Sequence, residues 1–177
     1  PAYDLGDYKE LQVDNVKKRV EAVTDFVAYA KEELSYYDVD VSVDIFGYAA
    51  TLEETPGIGQ NFSRISENVD VISSMIYPSH WTSYFGIDFP DKEPYRIIDE
   101  YSKVENEVLG KLENPPVSRP WIQDFEAPWL YPSGSAVTQY EKAEVEAQIR
   151  ALTDNGINEF LIWNPHNRYS ENVDYTP

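Results

Sequence analysis

The stretch PWIQDFEAPW, residues 120–129, sets Trp121 and Trp129 around Gln123, Asp124 and Glu126. A buried strand would avoid the acids, and a surface loop would rarely hold so much aromatic area. The mixture fits a binding cleft in which flat rings hold a ligand and carboxylates act on it. Indole faces stack on the apolar faces of pyranose rings, while the ring N–H reaches a hydroxyl. Cleaving a glycosidic bond takes two carboxyl groups across it, about 5 Å apart in retaining enzymes and farther apart in inverting ones. One of them must stay protonated near neutral pH, which requires burial or a neighbouring charge. Further residues suited to such chemistry are Asp44 in VSVDIFGY, Tyr77, His80 and Trp81 in IYPSHW, and Trp163 and Asn164 in LIWNPHN.

Other chemistries find less support. His80 and His166 are the only histidines and there is no cysteine, so a multi-histidine or thiolate metal site is not expected. Aspartate-rich calcium sites stay open. PGIGQN lacks the Walker lysine and the full dinucleotide fingerprint. No G-x-S-x-G elbow or H-E-x-x-H helix occurs, and no cofactor is expected.

The elements that must position these residues follow from periodicity. Val16, Val20, Val23, Val27, Ala30 and Leu34 recur at helical spacing and predict a helix over 14–34. VSVDIFGY (41–48) reads as a strand with Val41, Val43 and Ile45 on one face and Ser42, Asp44 and Phe46 on the other. A loop with Pro56, Gly57 and Gly59 leads to a short helix at 61–67 and a strand at 69–77. Pro94 starts the next helix, with Ile98, Tyr101, Val104, Val108 and Leu112 as its apolar stripe. A third strand lies near 118–124. Thr138 and Glu141 match a capping box for a helix that Gly156 ends, and 157–163 is a fourth strand. The residues after it read as a polar surface wrap. In the third strand Ile122 points to the helices and Trp121 and Gln123 the other way. Asp124 then faces away from the cleft unless the strand kinks there, with the following loop as another route into it for Asp124 and Glu126.

At 177 residues the chain is one domain or a large part of one. Its formal charge of −18 repels phosphate backbones and anionic lipid surfaces, so nucleic acid is not an expected partner. No apolar run is long enough to cross a bilayer. No signal peptide is visible, and the abrupt start at Pro1 fits a piece of a larger protein.

Alternation of helix and strand implies α/β architecture with parallel strands and right-handed crossovers. An open doubly wound sheet and a (β/α) barrel both satisfy it. All four strands carry polar or aromatic residues at their C-terminal ends, whereas an open sheet concentrates its site at one switch point. The barrel is therefore the expected architecture. A full barrel takes eight strands and roughly 250 residues, so four strands correspond to its C-terminal half, strands five to eight. The partner that closes it is the missing N-terminal half-barrel or a second copy of this chain.

SVDIFGY, the GIGQ loop, VDVISSMIYPSHW, RPWIQDFEAPW and GINEFLIWNPHNRY together resemble, in the same order, a bacterial domain family described as glycoside hydrolase, within the TIM-barrel glycosidase group. The resemblance covers most of the chain from about residue 16. It implies hydrolysis of a polysaccharide and a place outside the cell or in the cell envelope. In such proteins a strand of the form FDYVRFP precedes the first helix seen here. In related barrels the fourth strand carries the nucleophile and the fifth the general acid, which puts Asp44 at the acid position. By this reading the catalytic candidates are Asp44 and Asp124. Tyr77, His80, Trp81, Trp121, Gln123, Glu126, Trp129, Trp163 and Asn164 are the expected carbohydrate contacts. The fragment alone is expected to be inactive. A carbohydrate-binding domain that has lost catalysis, and a structural envelope module, are the other readings.

Overall fold

The computed structural model describes residues 5–55 and 57–177, with side chains from residue 13 onward. Pro1 and the loop residue Pro56 lie outside the described residues. The elements are α1 (Leu5–Leu34), β1 (Ser42–Phe46), α2 (Phe62–Ser66), β2 (Val71–Met75), α3 (Pro94–Leu109), β3 (Val117–Ser118), β4 (Trp121–Gln123), α4 (Lys142–Asp154) and β5 (Leu161–Trp163). Hydrogen bonding orders the sheet β1-β2-β4-β5, with β3 on β2. Among the described residues the strand order follows the chain order without reversal and shows no switch point of the doubly wound kind. Two compact units divide the chain: residues up to Ile72 with Val108–Val117, and Ser73–Glu107 with Ser118–Pro177.

In the first unit α1 buries Val20, Thr24 and Val27. Arg19 Nε bonds Glu54 Oε1 at 3.0 Å, and the same oxygen accepts the Gly59 amide at 3.1 Å. Lys31 pairs with Asp70, whose carboxylate also takes the Val41 amide at 2.7 Å. These two bonds hold the Asp70 carboxyl below its usual pKa. Strand β1 alternates as its sequence predicts: Ile45 is buried, while Ser42, Asp44 and Phe46 are exposed on the other face. A 3-10 turn, Gly47–Thr51, takes over where the strand was expected to run on to residue 48.

In the second unit the end of β2 from Ser73 onward pairs in parallel with β4, and β4 with β5, with Met75 opposite Trp121 and Gln123 opposite Trp163. β4 is shorter than expected because Arg119 and Pro120 separate it from β3, and proline has no N–H for the ladder. Helix α3 buries Ile97, Ile98, Tyr101, Ser102, Glu105 and Leu109. Its inner face is thus rotated from the expected stripe, and Val104 and Val108 are half-buried. The capping box also moves. Glu141, not Thr138, is the N-cap of α4, with Glu144 Oε2 accepting the Glu141 amide at 3.1 Å. The Thr138 hydroxyl is instead engaged by Tyr131. At the other end Gly156, at φ +76°, closes a Schellman motif through Ile157 N–H to Leu152 O (3.0 Å) and Gly156 N–H to Thr153 O (2.9 Å). The buried Gln148 amide of α4 joins the helix to β4, accepting the Gln123 amide at 2.9 Å and donating to the Gln123 carbonyl at 2.8 Å.

Candidate functional site

The second unit carries a cleft of about 420 Å³ where the chain leaves β4 and β5. The Asp124 amide extends the ladder to the Trp163 carbonyl at 3.0 Å. The Asp124 side chain then turns into the loop layer, 2% exposed. Its Oδ2 accepts the Ser170 amide at 2.8 Å and its Oδ1 the Ser170 hydroxyl at 2.6 Å. Asn164 Nδ2 donates to the Asp124 carbonyl, and Asn164 Oδ1 accepts the amides of His166 (2.8 Å) and Arg168 (3.4 Å). The segment after β5, which reads as a surface wrap in sequence, is thereby fastened as one wall of the cleft. It contributes Arg168 and Tyr169.

The opposite wall is aromatic. Phe125 and Trp129 stack at 6.3 Å with their planes 27° apart, and Trp129 is 63% exposed. Glu126 is exposed and lines the same cleft. The His80 ring meets Trp129 (6.2 Å), Phe125 (6.1 Å) and Tyr77 (5.3 Å) edge-on. His80 keeps more than a third of its surface in solvent, yet this packing is enough to lower its pKa below the ordinary histidine value, against the opposing pull of Asp91.

The structure thus gathers Asp124, Glu126, Trp129 and Asn164 around one cleft, with His80 and Tyr77 packed on its aromatic wall. Trp121, which opens β4, and Trp163, which ends β5, meet edge-to-face at 6.1 Å, and Trp163 is exposed. Two expected contacts are placed differently. Trp81 is 5% exposed, with its ring enclosed by Tyr84, Phe85 and Tyr101, so its faces are taken by the core. Gln123 is fully buried, its amide taken by Ser79, Asp91 and Phe125. Asp44 stands on the exposed face of β1, in the first unit. Sequence reasoning missed Asp91, Tyr131 and Tyr140, whose partners are distant in the chain. Among the described residues no group of three or more His, Cys, Asp or Glu side chains is arranged to hold a metal ion.

Asp124→Ala removes both bonds to Ser170. Hydrogen bonds to a charged group contribute about 1.5–3 kcal/mol each, so a loss of at least that order in urea unfolding is expected. Amide exchange should accelerate at 166–170. Unchanged exchange there would show that Asp124 does not hold the segment.

The second unit thus sets parallel strands beside an aromatic and carboxylate-lined cleft, in a chain of the α/β class. The chain belongs to the family described as "Putative glycosyl hydrolase domain", which matches residues 4–169. No curated protein matches it. Among solved structures it is similar to the PgaB (BpsB) glycoside hydrolase domain from Bordetella bronchiseptica, with a TM-score of 0.57 and 13% identity. The match covers 88% of this chain and 40% of that one, and at this identity it speaks to the fold.

Proposed function

We propose that the chain forms the C-terminal half, strands five to eight, of a (β/α)8 glycoside hydrolase barrel acting on a polysaccharide outside the cell or in the cell envelope. Family membership, the unreversed strand order and coverage of 40% of the PgaB domain chain support this reading. The observation that carries it is the open cleft in which the Glu126 carboxylate and the exposed, Phe125-backed Trp129 ring are available to a sugar. Trp129 is the stacking platform, with Trp163 and Trp121 as further ring contacts. Asp44 is the acid/base. In that role it protonates the departing glycosidic oxygen, and a second carboxylate, outside this chain, attacks the sugar or activates water. A general acid works from a desolvated carboxyl. Asp44 is exposed on β1, so the reading requires further protein to cover it.

The isolated 177 residues should bind oligosaccharides without hydrolysing them. Trp129→Ala should weaken that binding about tenfold, the equivalent of ~1.4 kcal/mol, in calorimetric titration with neutral and amino-sugar oligosaccharides. Turnover by the isolated chain would sink the half-barrel assignment. The second reading, a carbohydrate-binding domain without catalysis, is favoured by the bonding of both Asp124 oxygens to Ser170, which leaves that acid a structural duty. Hydrolysis by a complete protein that is abolished by Asp44→Asn, with binding retained, would exclude it.

A further inference from the structure

We infer that the segment after β5 makes the cleft select an acidic sugar, with the Arg168 guanidinium receiving the ligand's carboxylate. This rests on the glycan reading given above and names the class of sugar. Arg168 is exposed, and it is the one Lys or Arg among the described residues that line the cleft. The chain holds 32 acidic residues against 14 basic ones, so a cation has many partners to choose from. Arg19, Arg96 and Arg119 each pair with a glutamate, and Arg150 lies 5.5 Å from the centre of the Tyr95 ring. The Arg168 guanidinium has no hydrogen bond, ion pair or ring contact among the described residues. It carries five N–H donors and no acceptor, so whatever meets it must bring oxygens.

The backbone beneath Arg168 is fixed. Asn164, 8% exposed, accepts the amides of His166 at 2.8 Å and Arg168 at 3.4 Å on the same Oδ1. Asn167, at φ +53°, turns the chain between them, and its amide returns to the Asn164 carbonyl at 3.2 Å. Beyond them Ser170 is tied to Asp124. His166 and Arg168 therefore stand on one short turn, and His166 also lines the cleft. Its imidazole adds a ring N–H donor to that wall. On the segment that bears Trp129, the Glu126 carboxylate is exposed and has no partner among the described residues. Sugar hydroxyls can donate to Glu126. No hydroxyl matches the guanidinium fork as a carboxylate does, because only the carboxylate takes two parallel N–H···O bonds. The net charge of −18 repels an acidic sugar from afar, so a preference for one would report a local cation.

The test titrates the 15N-labelled chain with glucuronate and with glucose, which differ only in the group on the outermost carbon. Amide shifts at 164–170 and the Trp129 indole signal report binding near neutral pH and at low salt. Glucuronate should bind about tenfold tighter than glucose, the lower end of what a bond to a charged group contributes. Arg168→Gln should bring that ratio to about one, and Arg168→Lys, which keeps the charge without the fork, should leave it in between. Acetate should move the same amides but bind more weakly than glucuronate. Equal affinity of the native chain for the two sugars, or a preference that survives Arg168→Gln, would overturn the inference. So would acetate binding as tightly as glucuronate, which would mark a simple anion site. Equal binding of both sugars leaves the glycan reading standing, whereas failure of either sugar to bind removes both.

Discussion

Gly59→Ala is expected to destabilise the first unit severely. Gly59 has φ +73°, and a Cβ built there would lie 2.5 Å from the Arg19 carbonyl oxygen and 2.7 Å from its carbon. Both atoms are backbone of α1, so relief requires moving the helix and not a side chain. The left-handed backbone adds a penalty for any L side chain. Overpacking and backbone strain together predict a loss of about 2–5 kcal/mol. The Arg19–Glu54 pair should loosen too, because Glu54 Oε1 also holds the Gly59 amide. Gly57→Ala is the matched control. Gly57 has φ +83°, but nothing lies within 4 Å of its added carbon. It should show the conformational penalty alone. Equal urea midpoints for the two variants would refute a steric role for the Arg19 contact.

Glu105→Gln should stabilise the protein, increasingly so as pH rises. Glu105 is fully buried on α3. Burial raises its pKa, outweighing the opposing contributions of Ser118, Tyr101 and Ser74. Ser118 donates to Oε1. Among the described residues Oε2, Tyr101 Oη and Ser74 Oγ lack hydrogen bonds of standard geometry. A carboxyl with a raised folded-state value holds its proton more tightly in the native chain than in the unfolded one. The stability it contributes is complete below the ordinary value of 4.5 and is lost as pH climbs through the folded value. Gln cannot ionise, keeps an acceptor for Ser118 and adds two donors for the orphaned oxygens. A gain on the order of 1–3 kcal/mol at pH 8 follows, shrinking at pH 5. A difference between variant and parent that is the same at both pH values would contradict the ionisation argument.

The same glutamate shows why part of the fold was illegible in the sequence. Periodicity predicts an apolar stripe on α3 through Ile98, Tyr101, Val104, Val108 and Leu112, of which Ile98 and Tyr101 are buried, and it scores Glu105 and Ser102 as solvent-facing. Their burial depends on partners such as Ser118, which no local pattern displays. The α4 start moved for a similar reason. Thr138 matches a capping residue by spacing, but the Tyr131 hydroxyl competes for its side chain. The strand positions, the Gly156 stop and the alternation along β1 were legible, since each follows from backbone geometry within a few residues. In the site, Trp129, Glu126 and Asn164 could be located from their place just past strand ends. Trp81 and Gln123 also lie near strand ends, but the packing behind them turned them into the core. Asp91 carried no signal, because its partners Gln123 and Tyr131 lie 32 and 40 residues away.

The fastening of Ser170 by Asp124 has a bearing on how the cleft meets a ligand. Arg168 and Tyr169 lie between the Asn164 bonds and the Ser170 anchor, so their backbone is ordered when the domain folds. Fixing a residue's backbone costs about 1–2 kcal/mol of conformational entropy. For this wall that cost falls on folding, and a ligand does not bear it again on association. On the proposed reading the site is preorganised, with recognition closer to lock-and-key than to induced fit, and a variant that frees Ser170 would transfer that entropy to the binding step.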